Sequence, residues 1–260
     1  MGYYRRSSRS AWPEYESVAE KKLKANKTIA SLQKKGEQLH PVVIEGRLIA
    51  KTFWGKSWCK NLESYSDYAN RLPRGRSYVR NGSVVDLQIS QGLITAQVAG
   101  SSLYKITIKI QPMISSLWKE LVTTCTGKID SLIELLQGKF SKGVMEVFIE
   151  KDKGLFPKPK EISIHCSCPD SASMCKHIAA VLYGVGAVLD NKPEHLFTLR
   201  QVDPSDLLAS ATTSEALLAP SEGALQDEDL SSLFGIEMEE KVDKVPVSKK
   251  KKTKKQDAKE

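Results

Sequence analysis

The chain has 260 residues, of which 40% are apolar and 27% charged, and a formal net charge of +8 at pH 7. This length is enough to bury a real core in one or two domains. No apolar run approaches the roughly 18 residues that a membrane-spanning helix needs, so no membrane span and no membrane partner are expected.

The charge is uneven. Residues 201–240 hold ten acids and no Lys or Arg, and residues 241–260 hold nine Lys against three acids, which leaves +12 on residues 1–200. A basic body followed by an acidic stretch and a basic tail favours anionic partners. Three of the five Cys fall between Cys166 and Cys175, unlike the spread of a disulfide framework, so a reducing, cytoplasmic location is expected. The opening MGYYRRSSRS lacks the apolar run of a signal peptide, and Arg6 breaks the myristoylation pattern.

Residues 1–13 form a basic, aromatic arm. Glu14 to Lys35 reads as a helix with a thin stripe of Val18, Leu23, Ile29 and Leu32, stopped by Gly36. Core-like sequence begins at Pro41. Then come three runs of alternating apolar residues: Val85, Leu87, Ile89; Ile94, Ala96, Val98; and Ile106, Ile108, Ile110. Gln91-Gly92 and Gly100-Ser101-Ser102 separate them, which predicts an antiparallel meander. Helical spacing follows at Leu117, Trp118, Leu121, Val122 and Cys125, and again at Ile129, Leu132, Ile133 and Leu136, ending at Gly138. Residues 144–150 fit either a helix or a strand. GLFPKPK is a turn, and EISIHCSC a strand. Residues 210–229 read as a disordered linker, holding an apolar island at 229–238 before the run Lys249–Lys255.

The segment 165–177, HCSCPDSASMCKH, carries the chemistry. Alternate residues of a strand face one side, so Cys166 and Cys168 reach one ion. Pro169-Asp170-Ser171 turns the chain back. Residues i and i+2 diverge by about 200° within a helix, so Cys175 must lie in the turn and His177 in the first helical turn. The helix after it shows an apolar face of Ile178, Val181, Leu182, Val185 and Leu189. Gly184 and Gly186 in that helix point to close packing against another element. Three thiolates and an imidazole suit tetrahedral zinc, and four protein donors leave no open position, so one structural Zn2+ is expected. The alternatives are a cluster of reduced buried thiols or a redox or nucleophilic cysteine. His165 could compete as a ligand, but it falls on the opposite strand face from Cys166. Cys59 and Cys125 read as core thiols.

These residues resemble the SWIM zinc finger, C-x-C, a spacer, then C-x-H. RLPRGRSYVRNGSVVDLQIS, GLFPKPKEI, CSCPD, MCKHIAAVLYGVG and LFTLRQVD extend the likeness over residues 40–210 to bacterial SWIM zinc finger proteins often encoded beside a Swi/Snf-type helicase. Ser171 stands where many such proteins have Trp. The resemblance implies a zinc-binding accessory factor that binds DNA or protein, with a helicase as a possible partner and no established reaction.

Arg71, Arg74, Arg76 and Arg80 cluster around Pro73 and Gly75, with Tyr78 among them. Arg binds phosphate bidentately and Tyr can stack on a base. Gly75 would let a ligand approach the backbone closely. The alternative is a solvated turn with its Arg stems packed on the sheet. Lys176, between two ligands, would face a nearby phosphate, and Lys56, between Trp54 and Trp58, is a further candidate.

The expected fold is α+β: an antiparallel β-meander with helices and a strand-turn-helix zinc knuckle, flanked by an N-terminal helix and a disordered C-terminal tail. The expected parts are a basic arm and helix (1–40), an α+β core (41–160), the zinc finger with its helix (161–209), and an acidic linker with a Lys-rich tail (210–260). The expected function is nucleic-acid binding, DNA favoured, with no catalysis and no small-molecule substrate. The alternative is a protein-interaction adaptor using the finger and the 229–238 peptide, without direct DNA contact.

Overall fold

The computed structural model describes residues 17–64, 71–170, 172 and 174–209. The N-terminal arm, Ser171, the 229–238 island and the Lys tail lie outside the described residues. The first helix, α1 (Val18–Lys34), begins at Ser17, whose hydroxyl accepts from the Glu20 N–H at 3.2 Å while the Glu20 carboxylate accepts from the Ser17 N–H at 2.6 Å. This reciprocal capping satisfies two otherwise orphaned donors. The turn beyond α1 passes through Gly36 at φ +86°, as the stop signal predicts.

The three alternating runs form β1 (Val84–Ser90), β2 (Leu93–Ala99) and β3 (Leu103–Ile110). A fourth strand, β4 (Ile162–Cys166), pairs antiparallel with β3, completing the order β1-β2-β3-β4. One detail departs from simple alternation. The β1–β2 register shifts between Val84 and Asp86, so Val84 sits opposite Val98 while Val85 packs with Ala99, Ala25 and Leu32. A bulge adds a residue and re-aims the side chains before it. Val85 therefore supports α1 on the reverse face of the sheet, rather than sharing the face of Leu87 and Ile89. That reverse face also carries the exposed polar residues Gln88, Thr95, Lys105, Lys109, Ser163 and His165.

On the core face lies α7 (Lys176–Leu189), almost wholly buried and touching all four strands. Two helices cross it, α2 (Phe53–Glu63) and α3 (Leu72–Arg80). The approach is close at glycines. A Cβ on Gly55 would lie within 2.4 Å of the Gly186 carbonyl oxygen, and one on Gly186 would meet the Cys59 Sγ at 2.6 Å. A Cβ on Gly184 would meet Leu87 at 3.2 Å. The two helical glycines of α7 thus serve the close packing their presence in an apolar helix implies. Asp190, at the end of α7, accepts from Thr52 N and Oγ1 at 3.0 and 2.7 Å and so ties down the start of α2.

The remaining helices are α4 (Ser115–Cys125), α5 (Leu132–Gln137), α6 (Lys142–Ile149), α8 (Glu194–Arg200) and α9 (Asp206–Ala209), and Trp54 anchors α5, α6 and α8. Its ring packs against Phe140, Phe148 and Phe197, and its indole N–H donates to the Leu135 carbonyl at 3.0 Å. The ambiguous stretch 144–150 is helical because Ser141 caps it and Val144, Met145 and Phe148 fall on one buried stripe.

Candidate metal centre

Each ligand is placed by its own element. Cys166 ends β4 opposite Ile106, on the core face. Strand-like pairing continues one residue further: the Ser167 N–H donates to the Lys105 carbonyl and the Ser167 Oγ accepts from the Lys105 N–H, both at 3.0 Å. Side chains therefore keep alternating, which sets Cys168 on the same side as Cys166. His165 is exposed opposite Thr107 and outside the cluster. Asp170 shapes the return loop by accepting from the Ala172 N–H at 3.1 Å and from Arg71 at 3.4 Å. Cys175 is the N-cap of α7, its sulfur accepting from the Ile178 N–H at 3.5 Å. His177 then lies in the first helical turn, as the geometry of a C-x-H pair requires.

The four donor atoms lie within 4.8 Å of one another. His177 Nδ1 is 3.8 Å from Cys175 Sγ and 4.0 Å from Cys166 Sγ. Tetrahedral zinc with ligand bonds near 2.0–2.3 Å sets its donors about 3.7 Å apart, so this cage fits one ion. Burial pushes the Cys166 thiol up to about 12 and raises Cys175. Burial, with help from Lys176, lowers His177 to about 4 and keeps its imidazole neutral. Thiols packed where their charge is disfavoured, around a neutral imidazole, form a donor set that a divalent cation completes. The remaining ring nitrogen, Nε2, is buried without a partner among the described residues. It carries the proton when Nδ1 binds metal.

The imidazole is held by groups the sequence motif does not contain. Tyr104 of β3 stacks on it at 4.3 Å and 27°, and Tyr78 of α3 meets it edge-on at 5.4 Å. Gly100 sits over Nε2, where a Cβ would be 3.2 Å from that nitrogen and 2.9 Å from the Tyr104 ring. Tyr104 was legible as the inward member preceding Ile106 and Ile108; Gly100 was legible only as a turn residue.

The arginine segment is a helix, α3, rather than a turn. Pro73 in its first turn suits a helix start, and Leu72, Gly75 and Val79 form its buried stripe. Gly75 serves α7 and not a ligand: its Cβ would collide with Ala179 at 2.5 Å. Arg71 pairs with Asp170, and Arg76 pairs with Glu63 at 3.0 Å and lies over the Tyr183 ring. Glu63 also accepts from the Tyr183 hydroxyl at 2.7 Å. Arg74 and Arg80 are exposed and have no ion pair among the described residues. Lys176 is half-buried with its ammonium 5.2 Å above the Tyr78 ring. Lys56 is buried, not offered to a phosphate.

Among the described residues no helix is long and apolar enough to cross a membrane. The chain is 37% identical over 171 residues to an uncharacterized protein of Mycobacterium tuberculosis, Rv2102, a match covering 65% of this chain and 61% of that protein's length. No solved structure matches the chain. Residues 146–185 match the family model of the SWIM zinc finger. That segment contains the whole cage, so Cys166, Cys168, Cys175 and His177 are the donors of a SWIM zinc finger positioned to bind a single zinc ion.

Proposed function

We propose that the chain is a non-catalytic, zinc-stabilised accessory factor that binds nucleic acid, with DNA favoured. The observation that carries this reading is the outer side of α3, where Arg74 and Arg80 stand exposed and unpaired among the described residues, beside Lys176 of the knuckle. Guanidinium groups without a carboxylate partner are available to phosphate. The zinc supports this surface indirectly. It cross-links the end of β4 to the start of α7, and α7 holds α3 through Gly75. Four protein donors fill a tetrahedral shell and leave no position for substrate or activated water, which supports the non-catalytic reading.

The test is binding of a fluorescent DNA by zinc-loaded full-length protein. Arg74→Glu with Arg80→Glu is expected to weaken binding at least tenfold while zinc content and helical signal stay unchanged. Unchanged affinity would remove α3 from the reading, and no binding by the parent protein would end it.

A second reading, a protein-interaction adaptor, is favoured by a groove of about 540 Å³ lined by Val42, Val43, Leu48 and Val188, where Val43 is 73% exposed. The resemblance to proteins encoded beside a Swi/Snf-type helicase supports such a helicase as the partner. Under this reading Val43→Asp, or deletion of 229–238, abolishes pull-down of the helicase, and the zinc-loaded parent protein itself binds no DNA.

A further inference from the structure

Base recognition in single strands relies on aromatic faces on which unstacked bases lie. Among the described residues those faces are taken. Among the described residues Phe53, Trp54, Trp58, Trp118, Phe148 and Phe197 are buried, as are Phe140 and Phe156. Tyr104 is buried against His177, and Tyr183 is 1% exposed with its hydroxyl on Glu63. Tyr78 is the half-buried exception, but its edge faces His177 and the Lys176 ammonium sits over its ring. A base stacking on that face would have to displace the lysine.

What remains open is positive charge. Arg74 and Arg80 project from the solvent side of α3, six residues apart, which is about 9 Å along a helix axis. They flank Ser77, with Lys176 beyond Tyr78 at the edge of the same surface. Duplex DNA carries one phosphate charge per roughly 1.7 Å of axis, twice the density of one of its strands. A surface that offers cations without a stacking platform gains most from the denser array.

Resting on the nucleic-acid reading above, we infer that this surface binds the phosphate backbone of a duplex and leaves unstacked bases unread. Arg74, Arg80 and Lys176 are the phosphate ligands. Arg71 and Arg76 stay with Asp170 and Glu63 as structural ion pairs.

The experiment measures anisotropy of a 20-base-pair duplex and of a 20-nucleotide oligo-dT with the zinc-loaded full chain, between 50 and 200 mM salt. The duplex is expected to bind at least fivefold more tightly. Arg74→Ala with Arg80→Ala should flatten the slope of log K against log salt by about 0.9 for each phosphate that the protein no longer neutralises. Arg74→Glu with Arg80→Glu serves as the second variant and should weaken the duplex more than the Ala pair. Oligo-dT binding as tight as the duplex overturns the inference. So does a salt slope that the arginine variants leave unchanged. Failure to bind either probe overturns instead the nucleic-acid reading on which the inference rests.

Discussion

A Cβ on Gly75 of α3 would lie 2.5 Å from the Cβ of Ala179 in α7 and 2.9 Å from the Ala179 carbonyl carbon. The helix that carries His177 and the helix that carries Arg74 therefore meet backbone against backbone, and any side chain at Gly75 must push them apart. Overpacking of this kind costs about 1–3 kcal/mol. Gly75→Ala is expected to lower stability by about that much in urea unfolding. Adding Ala179→Gly should restore part of it, because the nearest clash is with the Ala179 methyl and the next with backbone. Additive losses in the double variant would show that this pair does not limit the packing.

Gly100 is expected to govern how firmly the metal is held. Its Cβ would enter the space over His177 Nε2 and the Tyr104 ring. Groups that orient a metal-binding histidine typically change affinity 10–100-fold when disturbed. Gly100→Ala should thus raise the zinc dissociation constant by about that factor in a chelator competition. Gly143→Ala, whose Cβ would meet nothing closer than 4.0 Å, serves as the control. Equal zinc retention in both would exclude the role assigned to Gly100.

Acid should destabilise the finger through His177. Its folded-state pKa lies near 4, below the ordinary 6.5, because burial disfavours the imidazolium. The unfolded chain therefore binds a proton that the folded chain refuses. The stabilising contribution is complete above about pH 6.5 and is lost as pH falls toward 4. Melting temperature of the metal-free protein should drop across this window. His177→Gln should lose this dependence. A flat profile between pH 7 and 4 in the parent protein would contradict the assignment.

Thiol reactivity should divide the five cysteines. Cys125 is fully buried, and burial pushes the Cys59 thiol up to about 12. With zinc bound, Cys166, Cys168 and Cys175 are engaged as well. A maleimide at pH 7 should modify little of the native protein. After chelation it should modify those three first, as read by mass spectrometry of the labelled peptides. Early labelling of Cys59 with the finger still loaded would show that α2 is looser than its packing on Gly186 implies.

Arg200 is a structural cation with no surface role. It is 2% exposed, donates to the Gln111 carbonyl at 3.0 Å and pairs with Glu161 at 3.3 Å. It clamps the end of β3 and the entry to β4 onto α8. Breaking a buried pair by removing one partner costs about 3–5 kcal/mol. Arg200→Ala should cost about that in urea unfolding and lower zinc occupancy by loosening β4. A change under 1 kcal/mol would mean that the Glu161 carboxylate is solvated without it.

The sequence by itself determined the meander, the helices α1, α4, α5 and α7 and the four metal donors, because each rests on local physics. Alternation set the strands, helical spacing set α4, α5 and α7, and the C-x-C and C-x-H spacings fixed which side chains could reach one ion. The short helix α8 was not legible, since seven residues show too little periodicity to declare themselves. Nor was α3, whose Pro, Gly and three arginines have the composition of a turn; tertiary packing of Leu72, Gly75 and Val79 against α7 overrides that local preference. Only the tertiary structure placed β4 beside β3, moved Val85 to the α1 side through a bulge, and set Tyr104 on His177. It also divided the arginines, consuming Arg71 and Arg76 in ion pairs and leaving Arg74 and Arg80 exposed. These outcomes depend on which distant groups share a surface, a property that no local periodicity encodes.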